Sequence, residues 1–366
     1  MFRYIFIFVT LIHGLIHFMG FAKAFNYVTV TQLTKEITKT TGVLWFSAGL
    51  LFLICLALYL LKKDSWAYFA VIAVILSQLL ILNNWQDARF GTIANVLILV
   101  VIIIGFFEIK FKNEYRNEVK IGLEDSKNRL NANLTEADIS FLPVLVQNYI
   151  RYTKCMDKPK VSNFKIDFSG KIRSREKGVW MPLISEQYNF IPTPTRLFFL
   201  DATMNYLPVA GFHCFKNGVA FMDIRLLSIF KVEYQSGAVM DTSETVTFFN
   251  DMCCMAPAAL IDKRIQWSEA NNNKVKATFT NNNIAIAAWL YFNEKSELVN
   301  FVSEDRSAVE KDGTIAKHKW STPLRDYKHI NGYLLASYAE TIYTYSDGDF
   351  TYATFTLKDI GYNVSK

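Results

Sequence analysis

Four long apolar runs fill the first 110 residues, and they constrain the fold more than any other feature of the chain. The runs are Tyr4 to Phe21, Val43 to Leu61, Trp66 to Leu82 and Ile93 to Phe107. Each approaches the roughly 20 residues that a helix needs to cross the hydrocarbon core of a bilayer. Trp45, Trp66 and Trp85 stand near their ends, where interfacial aromatics belong. The first run lacks a small-x-small cleavage site and three more follow it, so it reads as a retained helix rather than a signal peptide. The fold class expected is therefore a membrane protein: a four-helix transmembrane unit over residues 1–110, then a different kind of domain.

Lys and Arg in the short connections suggest an orientation. One side carries Arg3, Lys62, Lys63, Lys110, Lys112 and Arg116, and the other Lys23, Lys35, Lys39 and Arg89. This bias predicts an inner (plasma) membrane protein with both ends, and the soluble domain, in the cytoplasm. Five cysteines without CxxC spacing are expected as free buried thiols. The net charge of +6 comes from scattered residues rather than a basic block. That excludes an evident nucleic-acid surface and leaves a slight attraction to anionic lipid.

After Lys112 the composition turns polar. Residues 111–160 read as a helical connector. Its Asn113–Asn133 stretch is charged, and a helix capped by Thr135 with Asp138 three residues on should run to about Arg151, bent or broken at Pro143. From residue 161 to 366 the apolar period becomes two. Strands are expected at Phe164–Ile172, Trp180–Phe190, Arg196–Met204, Val209–Lys216, Val219–Arg225, Lys274–Thr280, Ile284–Phe292, Leu298–Ser303, Thr314–Trp320, Leu334–Tyr345 and Phe350–Lys358. A helix at about Asp241–Met255 interrupts them, with caps available in Asp241–Glu244. The α+β domain should be one large, curved antiparallel sheet covered by helices.

Two sets of polar residues could carry function. His13 and His17 share a face of the first helix, and ionisable groups inside a span face protein or water. With Lys23, Gln78, Asp87 and Arg89 they form a candidate polar cluster of the membrane unit. Two neutral histidines bonded to neighbouring helices would serve equally. In the sheet, Glu186 shares its alternating face with Trp180, Ile184 and Tyr188, and Arg196 shares one with Phe198. These six residues are the candidate lining of a ligand cavity, with Glu186 and Arg196 as polar anchors; a Glu186–Arg196 structural pair is the plainer alternative. His213, His318 and His329 stand isolated, and Asp251 beside Cys253 and Cys254 makes a thin case for a thiol site. No P-loop, GxGxxG, GxSxG or HExxH occurs. No metal ligand set and no cofactor are expected, and whether the chain is an enzyme stays open.

Leu15–Phe25 and the run Ser77–Asn95, with its Trp85-Gln86-Asp87-Ala88-Arg89-Phe90-Gly91-Thr92 core, resemble an uncharacterised bacterial membrane family whose four-helix unit is similar to DoxX-type proteins. Glu186-Gln187-Tyr188, Ser243-Glu244-Thr245-Val246, Asn250-Asp251-Met252, Ala256–Asp262 and Trp320–Tyr327 extend the resemblance over nearly the whole chain. It implies no established activity. The expected sheet is also similar in outline to LolA-like half-barrels, which suggests a membrane-anchored module that binds or transfers a lipophilic ligand. The alternative is a membrane redox or enzyme component built on His13 and His17. The expected partners are lipid or another lipophilic small molecule and the membrane.

Overall fold

The computed structural model describes residues 2–126, 132–310 and 313–365. It resolves into two compact units, residues 1–112 with 227–229, and residues 113–226 with 230–366. Four helices belong to the first unit's long apolar segments: α1 (Phe2–Ala24), α2 (Lys39–Leu60), α3 (Trp66–Asn83) and α5 (Gly91–Ser126), with the short α4 (Trp85–Ala88) before α5. All four are long and apolar enough to cross a membrane. Small residues let them approach. A Cβ on Gly49 would lie 2.9 Å from the Gly14 carbonyl oxygen, so α1 and α2 cross at backbone contact. Ala67, Ala70 and Ala73 of α3 are fully buried in the core with Phe52, Trp66, Ile98 and Ile102. The outward residues Phe8, Tyr68, Ile75 and Ile93 are large, apolar and exposed.

The charged stretch after Lys112 is helical and continues the fourth apolar helix without a break. α5 does not stop near Phe107 but continues to Ser126. Residues 127–131 of that stretch lie outside the described residues. The expected helix is broken before Pro143, which stands at the N-cap of the next helix. α6 (Glu136–Ile139) carries the Thr135–Asp138 capping box, and α7 (Val144–Tyr152) starts just after the proline.

The second unit is built on one antiparallel sheet of thirteen strands: β1 (Asn163–Ile172), β2 (Met181–Phe190), β3 (Thr195–Met204), β4 (Leu207–Lys216), β5 (Val219–Leu226), β6 (Phe230–Ser236), β7 (Ile265–Asn271), β8 (Lys274–Asn281), β9 (Ile284–Phe292), β10 (Leu298–Val309), β11 (Ile315–Ile330), β12 (Tyr333–Tyr345) and β13 (Gly348–Tyr362). The strand order is β6-β5-β4-β3-β2-β1-β13-β12-β11-β10-β9-β8-β7. β6 and β7, its two edges, are absent from the strands expected above. The remaining helix, α8 (Ala238–Met255), begins three residues earlier than expected. Asp241 does not cap it; its carboxylate accepts the Ala220 N–H of β5 at 2.6 Å.

The contacts of α8 require the sheet to curl. Phe248 of α8 meets Phe215 of β4 at 5.7 Å and Phe279 of β8 at 5.9 Å between ring centroids. Those strands are nine places apart, about 43 Å in a flat sheet of usual spacing. A helix about 10 Å wide touches both only if the sheet wraps around it. The turns agree: Asn282, after β8, donates to the Asn217 carbonyl, after β4, at 2.6 Å.

The opposite face of β2–β5 is covered too, by the end of α5. Tyr115 packs on Phe199 and Phe212 and donates to the Glu186 carbonyl at 3.3 Å. Glu118 pairs with Lys216, and a Cβ on Gly122 would sit 2.5 Å from the Phe190 ring. Apolar side chains on both faces of β2–β4 therefore reflect a sheet covered on both sides.

Phe248→Ala should cost about 3–5 kcal/mol, because it empties a fully buried site between distant strands. Ile184→Ala, at an exposed position, should stay within about 0.5 kcal/mol. Urea unfolding of the detergent-solubilised chain, followed by tryptophan fluorescence, measures both.

Candidate functional site

The densest buried polar constellation sits under α8. Glu244 and Asp251 are seven residues apart, so both project from one face of that helix. Arg196 of β3 meets them: its Nε donates to Asp251 Oδ2 at 2.7 Å and its Nη1 to Glu244 Oε2 at 3.2 Å. Its Nη2 donates to Gln187 Oε1 at 3.1 Å, and Gln187 Nε2 donates to Asp251 at 2.7 Å and to Asn189 Oδ1 at 2.6 Å. From β10, Arg306 ion-pairs with Glu244 at 3.8 Å and donates to the Tyr343 hydroxyl, the Ser243 carbonyl and Thr247 Oγ1. The Glu244 side chain is 1% exposed.

Charge balance explains the protonation tendencies. Burial pushes the Glu244 carboxyl up, but Arg196 and Arg306 outweigh it and hold that group below the usual range. Burial pushes Asp251 up, and Arg196 only partly offsets this. His213 of β4 lies edge-on to Phe198, with ring centroids 5.5 Å apart. Burial lowers its imidazole to about 4, against the attraction of Glu244. Cys253 and Cys254 are driven well above the ordinary thiol range by burial, so neither supplies a thiolate near neutrality.

Along the same sheet face the polar cluster gives way to a buried apolar cluster. Leu183, Phe198, Leu200, Ala202 and Val209 form its centre, bordered by the half-buried Ile172, Ile224, Leu226 and Phe355. No residue of α8 belongs to it. The Arg196 guanidinium lies 4.7 Å over the Phe198 ring, at the junction of cluster and patch.

The expected cavity lining divides between two faces. Asn189 pairs with Arg196 and Gln187 with Phe198, so Glu186 stands opposite Phe199 and points the other way from Arg196. The two cannot anchor one cavity, and they do not pair with each other. Glu186 instead ion-pairs with Lys165 at 3.1 Å. Tyr188 shares its face, Ile184 is exposed, and Trp180 precedes β2 in a loop. Only Arg196 and Phe198 remain on the α8 face. The residues that join them, Gln187, Asn189, Glu244, Asp251 and Arg306, were not foreseen. Their signal was the seven-residue spacing of Glu244 and Asp251, which puts two carboxylates on one face of the helix.

In the helical unit, His13 Nε2 bonds Asn95 Oδ1 at 2.9 Å and Ser77 Oγ at 3.2 Å. His17 Nε2 bonds Ser77 Oγ at 2.9 Å, and its Nδ1 donates to the His13 carbonyl at 2.7 Å. Gln78 joins through Asn95 and Thr92. The rest of the expected polar cluster lies elsewhere. Lys23 donates to the Leu33 carbonyl. Asp87 accepts the Thr34 and Lys35 N–H groups at 2.6 and 3.2 Å, which pins the α1–α2 loop. Arg89 stacks on Phe90 at 5.1 Å rather than pairing with Asp87. Among the described residues, no group of three or more His, Cys, Asp or Glu side chains is arranged to hold a metal ion.

Comparison with known proteins adds a family. A profile described as "Family of unknown function (DUF6544)" matches residues 132–355. No curated protein matches the chain. Among solved structures, a domain described as an outer membrane lipoprotein-sorting protein from Vibrio parahaemolyticus aligns with TM-score 0.34 and 7% identity, covering 61% of this chain and 92% of its own. A DUF1329 family protein from Desulfovibrio piger aligns with TM-score 0.33 and 10% identity, covering 64% and 95%. A LolA superfamily protein from Nitrosomonas europaea aligns with TM-score 0.29 and 8% identity, covering 60% and 94%. At such identities the likeness concerns outline alone.

Glu244→Ala leaves two arginines facing a buried gap and should cost about 3–5 kcal/mol, whereas Glu186→Ala, which breaks a half-exposed pair, should cost under about 1 kcal/mol. Thermal unfolding of the two variants decides this.

His213 predicts a pH effect. Above pH 6.5 both folded and unfolded chains hold it neutral. Between 6.5 and about 4 the unfolded chain takes up a proton that the folded chain refuses, so stability is lost as pH falls through that window. In His213→Phe the acid limb of a stability–pH curve should be shallower by up to about one proton.

Proposed function

We propose that this chain, which belongs to DUF6544, a family of unknown function, is a membrane-anchored module that binds or passes on a lipophilic ligand on the α8 face of its sheet. The observation that carries the reading is the apolar cluster of Leu183, Phe198, Leu200, Ala202 and Val209, which is buried on that face, has no residue of α8 among its members and adjoins Arg196. An apolar wall with one placed polar group is the usual composition of a small-molecule site. Arg196 and Asp251 would hold the polar end of an amphipathic ligand and the patch its hydrocarbon. A cavity of about 50 Å³ between α5 and the β2–β3 turn, lined by Ile121, Gly122 and Phe190, is far too small for that role.

Anchoring is supported by the four apolar helices and their exposed apolar surfaces. The excess of Lys and Arg on one side of the spans favours a cytoplasmic sheet unit in the plasma membrane, and five free, buried cysteines fit a reducing compartment. A DoxX-like outline for the four-helix unit is part of the same proposal. The buried His13–His17 network is accounted for by its bonds to Ser77 and Asn95, and no observation favours the redox or enzymatic reading.

The test uses the full chain in nanodiscs with a photoactivatable fatty-acyl probe. Cross-links should map to β2–β4 as well as to the spanning helices. Leu200→Glu should reduce the β2–β4 products at least about tenfold, since it sets a carboxylate in an apolar patch. Cross-links confined to the helices would sink the reading.

A further inference from the structure

The loop between β1 and β2 gathers charge in a way the scattered basic residues of the whole sequence conceal. It holds Arg173, Arg175 and Lys177, with Lys171 at the end of β1 beside them, against a single acid, Glu176. Arg173 and Lys171 flank the Trp180 ring, at 4.5 and 4.7 Å. Arg173 is fixed in turn by donating to the Thr351 carbonyl at 2.9 Å. Arg175 and Lys177 are exposed, and Val179 beside them is 77% exposed.

Of the two tips beside it on the same end of the strands, the β12–β13 tip carries Asp347 and Asp349, whereas the β3–β4 turn repeats the pattern of exposed bulk. β3 and β4 are joined by Asn205 and Tyr206, both with positive φ (+48° and +70°). Such a two-residue turn favours glycine at its second position. Tyrosine there holds a strained conformation with its side chain 74% exposed, and strain kept at an exposed aromatic points to use.

Within this unit the direction of α5 identifies the end concerned. Glu114 pairs with Arg225, next to the β5–β6 turn, whereas Gly122 meets Phe190 at the far end of β2. The chain therefore enters the sheet unit at the end that carries the Arg173–Trp180 loop and the Tyr206 turn. The residues just before this entry in sequence are those of the fourth candidate span.

We infer that these two tips form a docking surface for a bilayer rich in acidic phospholipid. Arg175 and Lys177 meet the headgroup phosphates, while Val179, Trp180 and Tyr206 enter the interfacial layer. Aromatic side chains favour that layer, and exposed basic clusters favour anionic leaflets. The inference goes beyond ligand binding and rests only on the membrane anchoring proposed above. Docking would orient the sheet unit on the surface from which a lipophilic ligand would come.

The experiment labels Val179→Cys in the full chain with an environment-sensitive nitrobenzoxadiazole dye; all five native cysteines are buried, so labelling is selective. Thr193→Cys, exposed at the opposite end of the strands, is the reference position. Both are reconstituted into nanodiscs of phosphatidylcholine with or without phosphatidylglycerol. Retention of the chain in the disc tests anchoring separately. The Val179 label should brighten at least about twofold and shift blue in anionic discs, lose that response in 0.5 M salt or in the Arg175→Glu/Lys177→Glu variant, and leave the Thr193 label unchanged. A water-exposed spectrum at position 179 in anionic discs would overturn the inference. So would a response indifferent to lipid charge and to charge reversal.

Discussion

The curl of the thirteen-stranded sheet depends on the carboxylate of Glu244. It is almost fully buried, and arginines from β3 and β10 reach it. Those strands are six places apart, about 29 Å if flat, so both ion pairs exist only in the wrapped sheet. Aromatic packing at Phe248 would tolerate small slips of α8 along the sheet. A buried carboxylate with two fixed guanidinium partners would not, because a slip strands a charge in a low-dielectric interior. Much of the network's electrostatic gain is spent on desolvation, so its main effect is to select one arrangement.

That selection shapes what the α8 face can bind. The helix covers the sheet where its polar face finds Arg196, Gln187, Arg306 and Asn250's partner Thr322. Beyond Phe198 that face is mainly apolar, with Ser185 buried opposite Leu200, and no residue of α8 joins the cluster there. On the other face, the end of α5 lies on Phe199 and Phe212 and removes the need to explain those side chains by a hollow sheet.

The alternation of apolar residues was enough to find most strands, and the four apolar runs were enough to find the long helices. β6 escaped although Phe230, Val232 and Tyr234 alternate with polar residues, because an edge strand exposed on both faces gives no buried side to recognise. The cavity lining failed for a different reason. Alternation defines two faces of each strand but not which faces match across a hairpin. The turn between Phe190 and Thr195 sets Asn189 opposite Arg196, so odd residues of β2 share a face with even residues of β3. Glu186 and Arg196 are then on opposite faces, and the polar Gln187 and Asn189, natural candidates for solvent, are buried. Turn geometry at one loop decided the fate of six candidate residues.

The helical unit applies the same physical device. In a hydrocarbon environment, apolar helix faces gain little by meeting each other rather than lipid, so packing alone specifies register poorly. The close Gly14–Gly49 crossing permits approach between α1 and α2 but does not tie them to α3 and α5. The His13–His17–Ser77–Asn95 network does, since each of its bonds crosses between helices or fixes a ring that makes such a bond. Sliding α1 by one turn would take the Nε2 atoms of His13 and His17 away from Ser77 and Asn95, at a cost of several kcal/mol where no water replaces them. A chain with apolar surfaces in both units thus relies on buried polar nodes to choose among packings that hydrophobicity leaves nearly equal.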